Sequence, residues 1–235
     1  MNLLRWAVPG PYEVAFSTRL GGVSKGPFES LNLGLMTGDE PDSVHENRRR
    51  LCAEVSVDPD AVSMNRQKHT TLVHRAHAGK RGEPGDGLWT DERGLPMLAL
   101  GADCLTIAIA RMNGRGPALA ILHAGWRGLL EGIAAKAVEA VGGGLLAAAI
   151  GPGIGPCCYD VGEDVSEPFR RAFGFGLVRD GKLDLWSAAE RALSTAGVAR
   201  VDRFDLCTAC NPQLFFSQRR TGKPRGVQGV IGLIG

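Results

Sequence analysis

The spacing of apolar positions changes several times along the chain between that of a strand and that of a helix. Apolar and polar residues alternate over residues 11–20, which predicts a strand that ends in a glycine-rich turn. Apolar residues then recur at helical spacing over residues 44–55, and Asp42 or Ser43 is the expected N-cap of that helix. Residues 67–75 alternate again, so we expect a second strand there.

Longer apolar runs follow in the second half of the chain. Residues 97–110 are largely apolar, which predicts one or two buried strands around Asp103 and Cys104. The other predicted elements are strands at residues 118–122, 145–150 and 226–233, and helices at residues 126–141, 163–173 and 187–196. Because strands and helices are mixed without strict alternation, we predict a single α/β (α+β) domain over residues 1–235, with a mixed β-sheet flanked by helices.

Composition narrows the class of protein. The 235 residues are 44% apolar and 22% charged, as in ordinary soluble globular proteins. A net charge of +2 without a basic patch predicts no nucleic-acid partner. No apolar stretch is long enough to predict a membrane span or an export signal. We therefore expect a cytoplasmic protein whose six cysteines are reduced thiols.

Three short patterns suggest chemistry but lack the context that the chemistry needs. Residues 22–26 match the G-x-S-x-G pattern of a hydrolase, yet Pro27 follows where a helix should begin. Residues 151–156 resemble a dinucleotide-binding loop but carry a proline at the third glycine position. Cys207 and Cys210 form one isolated C-x-x-C pair, whereas a zinc ribbon uses two, so we interpret them as small thiols without a metal or redox role.

Two histidines and a cysteine lie at the ends of apolar segments, where strands commonly deliver side chains to a site. His69 lies on an alternating segment, Cys104 interrupts an apolar run, and His123 follows a predicted strand. Two imidazoles and a thiolate leave one coordination position open, which is the ligand pattern of a catalytic zinc. The pattern alone is equally compatible with buried core histidines and a small buried cysteine. His74 and His77 are competing ligands, but we prefer His69, because His74 points to the other face of its strand and His77 lies near a glycine-rich loop.

Several longer motifs resemble those of the laccase-domain proteins, also called the multicopper polyphenol oxidase or purine nucleoside phosphorylase family. The most specific are H-A-G-W-R-G at residues 123–128 and A-D-C at residues 102–104. Further matches, in family order, lie at residues 18–24, 30–34, 46–48, 150–159, 184–185, 207–208, 215–217 and 219–220. The resemblance covers nearly the whole chain and implies a fold similar to that of the cytotoxic necrotizing factors.

The resemblance implies a zinc ion held by His69, Cys104 and His123, which match the family's Q-V-H, A-D-C and H-A-G-W motifs. Copper is a second, less favoured metal that the family's name suggests. Two departures flank the first ligand, because Lys68 and Thr70 replace the family's usual apolar residue and glycine. These replacements affect the geometry expected for the strand around His69.

The resemblance also implies an enzyme: a purine nucleoside phosphorylase acting on adenosine, inosine and methylthioadenosine, with adenosine deaminase activity at the same site. Nucleoside and phosphate are then its partners, and Asp103, Cys104 and His123 are its catalytic residues. The substrate-binding residues that the matching motifs imply are Arg19, Asn32, Arg48, Gln67 and Arg127. The three arginines are candidates for a phosphate pocket, since guanidinium groups bind phosphate bidentately. The alternative for each is a solvated or structural arginine.

Three other functions stay open. Cys104 and His123 could form the thiolate–imidazole pair of a hydrolase, with or without zinc, and some family members are described as hydrolases that edit peptidoglycan precursors. A copper polyphenol oxidase is a weaker alternative, because a trinuclear copper centre needs many imidazoles and the chain has five histidines and no H-x-H pair. A zinc-stabilised binding module predicts a closed site with a fourth protein ligand. The sequence does not indicate the oligomeric state.

Overall fold

The computed structural model describes residues 1–235 and contains fourteen strands and six α-helices, numbered here in chain order. The strands are β1 Leu3–Arg5, β2 Tyr12–Ser17, β3 Met64–Arg66, β4 Val73–Arg75, β5 Arg81–Pro84, β6 Gly87–Thr90, β7 Met97–Gly101, β8 Leu105–Arg111, β9 Leu119–Ala124, β10 Leu146–Ile150, β11 Val178–Arg179, β12 Lys182–Leu183, β13 Arg200–Arg203 and β14 Gln228–Ile234. The helices are α1 Pro41–Glu54, α2 Trp126–Leu130, α3 Ile133–Val141, α4 Glu163–Phe173, α5 Leu185–Thr195 and α6 Gln218–Thr221, and short 3₁₀ turns occupy Gly26–Phe28 and Pro59–Ala61. None of the helices combines the length and the apolar character that a membrane span needs.

The elements form four layers built around two main sheets. A four-stranded sheet in the order β1-β2-β14-β7 packs face to face on a six-stranded sheet in the order β13-β10-β8-β9-β6-β4. Apolar side chains of α1, including Leu51 and Cys52, cover the outer face of the first sheet, and helices α2 to α5 cover the outer face of the second. The mixed α/β fold predicted from the sequence is therefore confirmed, with two main sheets instead of one.

The central strands of the six-stranded sheet explain the longest apolar runs in the sequence. Every residue of β8, β9 and β10 is buried, because the other sheet covers one face of these strands and helices cover the other. Strand β8 pairs antiparallel with both β9 and β10, while β10 runs parallel to β13 and β4 runs parallel to β6. The apolar run over residues 97–110 is divided into β7 and β8, and these two strands join different sheets.

Two helix boundaries differ from the predictions because of residues with special backbone preferences. The helix predicted over residues 126–141 is two helices, since Gly132 adopts a φ of +94° and separates α2 from α3. Helix α1 begins at Pro41, so neither Asp42 nor Ser43 is its N-cap. Proline favours the first helical turn because its fixed φ suits the helix and its missing N–H has no intrahelical partner to lose.

The strand predicted over residues 67–75 is wrong for most of its length. Only Val73–Arg75 forms a strand, and the residues before it form an irregular loop. His69 has a φ of +61°, a left-handed conformation that is incompatible with a strand. The loop departs from a strand because its backbone wraps around a buried carboxylate, that of Asp86.

Candidate metal centre and substrate cleft

Four chain segments meet at one edge of the six-stranded sheet. Cys104 immediately precedes β8, His123 lies near the end of β9, and Asp86 immediately precedes β6. The antiparallel pairing of β9 with β8 and with β6 brings these three residues to the same edge. The loop that carries His69 runs to this edge because β4 pairs parallel with β6.

His69, Cys104 and His123 form a group that can bind a metal ion, since their ligand atoms all lie within 4.8 Å of one another. The Cys104 Sγ is 3.7 Å from His69 Nε2, and the two imidazole rings are nearly perpendicular, with centroids 4.8 Å apart. A tetrahedral zinc with normal bonds to sulfur and nitrogen separates two such ligand atoms by about 3.6 Å. The donor set and its spacing therefore fit one metal ion, and no fourth histidine, cysteine or carboxylate joins the group.

Asp86, which no sequence motif indicates, organises two of the three ligands. Its carboxylate accepts hydrogen bonds from the backbone N–H groups of Lys68, His69 and Thr70 at 3.1, 3.0 and 2.7 Å, and from the Thr70 hydroxyl at 2.8 Å. These bonds hold His69 in its left-handed conformation. The same carboxylate lies 2.8 Å from His123 Nδ1, which leaves His123 Nε2 free to bind a metal.

The ionisation states of Cys104 and His123 depend on each other within this group. Burial opposes ionisation of the Cys104 thiol, but the neighbouring His123 and His69 outweigh it and lower the pKa of Cys104 to about 6. Burial also disfavours the charged His123 ring, yet Cys104 and Asp86 outweigh it and raise the pKa of His123 to about 9. Burial alone would raise the pKa of Asp86, but hydrogen bonds from His123 and from backbone N–H groups keep that pKa well below its ordinary value. The group thus favours the thiolate of Cys104 near neutral pH, which is the form that binds metal ions.

Gly125 leaves room for the metal-binding group because it has no side chain. A Cβ at this position would lie 2.9 Å from His69 Cδ2 and 3.1 Å from Cys104 Sγ, closer than ordinary contacts. Helix α2 begins at the next residue, so its first turn lies directly beside the group. This close approach explains the glycine in the middle of the H-A-G-W-R-G motif.

A cleft of about 520 Å³ is lined by all three metal-binding residues and is large enough for a small-molecule ligand. No aspartate or glutamate lines it, and its five basic side chains are Arg48, Arg66, Arg81, Lys223 and Arg225. Its apolar lining residues, apart from Cys104, are Leu35, Met36, Met64, Leu100, Ala102 and Val227. The cleft therefore suits a ligand, or a pair of ligands, with both an anionic and a flat apolar part.

Among the basic residues, Arg225 has the environment that most directly indicates a ligand. Its Nε is buried without a hydrogen-bond partner, which is costly unless a bound group supplies one. Burial lowers the pKa of its guanidinium, and the charges of Asp103 and Cys104 act against that shift. Arg48 is better satisfied, because its Nε donates to the Leu33 carbonyl at 2.9 Å, and burial lowers its pKa to about 10.

Two of the five predicted substrate-binding residues line the cleft, and a third supports its wall. Arg48 and Gln67 are lining residues, although the Gln67 amide already exchanges hydrogen bonds of 2.6 and 2.8 Å with the Leu100 backbone. Asn32 is fully buried, and its amide bonds to the loop over residues 34–37, which forms part of the cleft wall. Asn32 therefore shapes the cleft without lining it.

The structure does not bring Arg19 or Arg127 to the cleft. Arg19 donates to the backbone carbonyls of Glu29 and Pro212 at 2.6 and 2.9 Å, so it ties two loops together. Arg127 is exposed at the start of α2, where its guanidinium lies over the Trp126 ring. Their surroundings are those of a structural arginine and a solvated arginine, respectively.

Asp103 precedes Cys104 in the chain, but its carboxylate serves a different set of partners. It accepts hydrogen bonds from the Thr208 hydroxyl and from the Arg219 backbone N–H, both at 2.6 Å. Its φ of +88° turns the chain between β7 and β8. Asp103 thus fixes the turn that presents Cys104 and lies outside the metal-binding group.

Asp86 and four of the five basic residues of the cleft were not predicted from the sequence. Asp86 lies between two glycines just before a short strand, and a carboxylate in that position is the only local signal that could have indicated it. The missed basic residues are Arg66, Arg81, Lys223 and Arg225. They come from β3, from β5 and from the loop before β14, so only the folded chain brings them together.

Known proteins resemble this chain over nearly all of its length, in sequence and in structure. Residues 13–234 match the model of the multi-copper polyphenol oxidoreductase laccase family. The chain is 34% identical to the purine nucleoside phosphorylase YfiH of Shigella flexneri, over 98% of this chain and 97% of that protein. It is 35% identical to the purine nucleoside phosphorylase YlmD of Geobacillus stearothermophilus, over 93% of this chain and 88% of that protein.

Two crystal structures share the fold. The structure of YlmD from Geobacillus stearothermophilus aligns with a TM-score of 0.90 and 30% identity, covering 100% of this chain and 96% of that one. The structure of the Neisseria meningitidis protein NMB0706 aligns with a TM-score of 0.88 and 31% identity, covering 100% of this chain and 99% of that one.

Proposed function

The chain belongs to the multi-copper polyphenol oxidoreductase laccase family, and from this premise we propose that it is a zinc-dependent purine nucleoside phosphorylase. Its active site is the cleft lined by His69, Cys104 and His123. One observation carries the proposal: a single cleft joins a metal-binding group to five basic side chains and no acidic one. Relatives that match over most of their length are named purine nucleoside phosphorylases, and a nucleoside with phosphate suits a cleft of this composition.

The basic side chains supply the phosphate site. The unpartnered Nε of Arg225 donates to a phosphate oxygen, and the guanidinium of Arg48 adds positive charge to the same cleft. In phosphorolysis, a phosphate oxygen forms a bond to C1′ of the sugar as the bond from C1′ to the purine nitrogen breaks. The base takes up a proton, and the products are the sugar 1-phosphate and the free base. The arginines orient phosphate for this displacement and offset its negative charge.

The apolar residues supply the surface for the purine and support a broad substrate range. Leu35, Met36 and Met64 line the cleft, and the two lining amides, those of Asn65 and Gln67, already donate to backbone carbonyls. No carboxylate lines the cleft, and the two amide nitrogens already donate to backbone carbonyls, so few side chains there distinguish a 6-amino from a 6-oxo purine. This supports adenosine, inosine and methylthioadenosine as substrates.

The three ligands fit zinc with one coordination position open to the cleft. Zinc bound there would supply Lewis-acid chemistry at the cleft wall. His123 holds its proton on Nδ1, toward Asp86, which fixes the orientation of the ring. We also propose adenosine deamination at this site, a reaction in which water replaces the 6-amino group and ammonia leaves.

Product analysis with and without phosphate tests the proposal. The purified protein, with its metal content measured, is incubated with adenosine, inosine and methylthioadenosine. Phosphorolysis predicts free base and sugar 1-phosphate in equal amounts, and only when phosphate is present. Deamination predicts inosine from adenosine without phosphate. No turnover of any of the three nucleosides would contradict both activities.

A hydrolase is the second candidate, because Asp86, His123 and Cys104 are arranged like a Cys-His-Asp triad. The Asp86 carboxylate is 2.8 Å from His123 Nδ1, and the neighbouring His123 lowers the pKa of the Cys104 thiol. Such a triad could cleave an amide bond without a metal, for example in a peptidoglycan precursor. Cleavage of a peptidoglycan-precursor amide by the metal-free protein would favour this hydrolase. Phosphate-dependent release of base that is lost on metal removal and recovered with zinc would favour the phosphorylase.

The copper oxidase and the binding module have less support. Only His69 and His123 join the metal-binding group, whereas a trinuclear copper centre needs many more imidazoles. A closed zinc site of a binding module needs a fourth protein ligand, and this group has three. Elemental analysis of the wild type beside Cys104→Ala decides between zinc and copper in the cleft, because only the ion of the cleft loses a ligand in this variant.

A further inference from the structure

A second cluster of metal-binding side chains lies outside the cleft. The sulfur atoms of Cys157, Cys158, Cys207 and Cys210 all lie within 4.8 Å of one another. The Cys210 Sγ is 3.4 Å from Cys157 Sγ and 3.3 Å from Cys158 Sγ. None of the four residues lines the cleft, and the proposed phosphorolysis uses none of them.

The topology brings the two cysteine pairs together from distant parts of the sequence. Strands β10 and β13 are parallel neighbours, so the loops that follow them leave the sheet at the same edge. Gly153 and Cys207 form a bridge between these loops, and the Thr208 N–H donates to the Gly153 carbonyl at 2.9 Å. Each loop therefore carries its pair of cysteines to the same place.

We propose that these four cysteines, the four-cysteine cluster, bind one zinc ion in a closed, structural site. Tetrahedral zinc with bonds to sulfur of about 2.3 Å places its sulfur ligands about 3.8 Å apart. The separations in the cluster, from 3.3 Å to no more than 4.8 Å, bracket that value. The Gly155 N–H donates to Cys207 Sγ at 3.3 Å, a contact that favours the thiolate form. Four protein ligands leave no coordination position for a substrate, so the site is structural.

The arrangement favours one ion over a disulfide or an iron–sulfur cluster. Cys210 is nearly equidistant from Cys157 and Cys158, at distances well beyond the roughly 2.05 Å of a disulfide bond. A disulfide would use two of the four thiols and leave the gathering of the other two unexplained. A cluster with several irons binds its cysteines through different iron atoms, which spreads the sulfurs further apart than one ion does. Zinc is the usual ion of closed four-cysteine sites.

The ion would stabilise the turn that presents Cys104 to the cleft. The Ile154 N–H donates to the Asp103 carbonyl at 2.9 Å, and the Thr208 hydroxyl donates to the Asp103 carboxylate at 2.6 Å. Ile154 and Thr208 lie in the same two loops as the cysteines. The four-cysteine cluster thus supports this turn from outside the cleft, and its ion contributes to stability, because Ile154 and Thr208 already bond to Asp103 directly.

Zinc stoichiometry of the full chain tests this proposal. We expect Cys210→Ser and Cys157→Ser each to contain one zinc ion per chain fewer than the wild type. This difference does not depend on which metal ion the cleft binds. Both residues are exposed, so their substitution leaves the apolar core intact. Cys52→Ala is the matched control, because it removes a buried thiol of α1 that belongs to neither metal-binding group, and it should keep the wild-type zinc content.

Replacement of zinc by cobalt(II) gives a readout that does not depend on activity. Cobalt bound by four thiolates has intense sulfur-to-cobalt charge-transfer absorption, which should be largely lost in Cys210→Ser and retained in Cys104→Ala. Equal zinc content in the wild type and Cys210→Ser would overturn the proposal. So would a native mass lower by two hydrogens, which indicates a disulfide, or iron in place of zinc.

Discussion

The two groups of sulfur and nitrogen ligands lie at the same edge of the six-stranded sheet but differ in their access to other molecules. The group of His69, Cys104 and His123 offers three ligands beside a cleft of about 520 Å³. The four-cysteine cluster offers four ligands and borders no part of that cleft. Because zinc in proteins is usually four-coordinate, the first group leaves a position for a substrate and the second does not. Ligand number and the neighbouring space, more than ligand chemistry, distinguish a reactive site from a structural one.

The two groups also differ in what holds their ligands in place. In the cleft, one buried carboxylate, that of Asp86, bonds to the backbone around His69 and to the ring of His123. In the four-cysteine cluster, the pairing of two loops after parallel strands brings the sulfurs together. We therefore expect the open group to depend on one outer carboxylate and the closed group to depend only on its own thiols.

Removal of a ligand of the open group should have the largest effect. Cys104→Ala should lower kcat/KM for inosine by more than the roughly 100-fold that can follow loss of an outer partner, because it removes a direct metal ligand. Cys210→Ser should keep most of the wild-type kcat/KM, since its ion does not contact substrate. Steady-state phosphorolysis measures the contrast, and equal losses in the two variants would abolish the functional distinction between the groups.

Substitution of Asp86 should have the next largest effect. Asp86→Asn should weaken zinc binding in the cleft by about 10–100-fold, because an amide cannot replace both carboxylate oxygens as hydrogen-bond acceptors. Competition with a chromophoric chelator measures the dissociation constant. Asp91→Asn is the matched control, since Asp91 is exposed and pairs only with Arg75. Unchanged zinc affinity in Asp86→Asn would show that the ligands do not need this carboxylate.

Substitution of Arg225 should affect phosphate more than nucleoside. Arg225→Gln should raise KM for phosphate about tenfold or more while KM for inosine changes little, because a hydrogen bond to a charged group contributes roughly 1.5–3 kcal/mol. Arg127→Gln is the control, since Arg127 is exposed and does not line the cleft. If Arg127→Gln had the larger effect on phosphate, the phosphate site would lie outside the cleft.

The smallest effect is expected on stability, from loss of the closed site. If the structural ion contributes about 2 kcal/mol, Cys210→Ser should lower Tm by roughly 4–8 °C in a domain of this size. Cys157→Ser should do the same, and the double variant should be no less stable than either single variant, because either substitution releases the same ion. Additive losses in calorimetry would mean that the thiols act independently.

The fold is predictable from sequence where burial is complete and less predictable in the outermost strands of the two main sheets. Strands β8, β9 and β10 are buried on both faces, so continuous apolar runs indicate them. Strands β1, β4 and β13 are only three or four residues long, and all of these residues are partly or fully exposed. So short a strand shows no periodic pattern of apolar and polar positions. The loop before β4 has the alternating apolar and polar residues that are typical of a strand. Its backbone conformation depends instead on hydrogen bonds from the His69 and Thr70 N–H groups to the Asp86 carboxylate.

The candidate sites could also be predicted only in part from the sequence. His69, Cys104 and His123 can be found from sequence because each lies in a short family motif. Asp86 and Arg225 lie in no motif, and only the meeting of distant loops gives them a role. The four-cysteine cluster escapes detection because its second pair is vicinal, not a second C-x-x-C, and lies in the loop after a neighbouring parallel strand.

Zinc reconstitution of the metal-free chain tests most directly whether the three-ligand group in the cleft carries the activity. We expect phosphate-dependent release of base from inosine to be absent without metal. It should return as zinc is added, in the wild type and in Cys210→Ser alike, but not in Cys104→Ala. Full activity of the metal-free protein, or recovery of activity in Cys104→Ala, would contradict the assignment of the activity to this group.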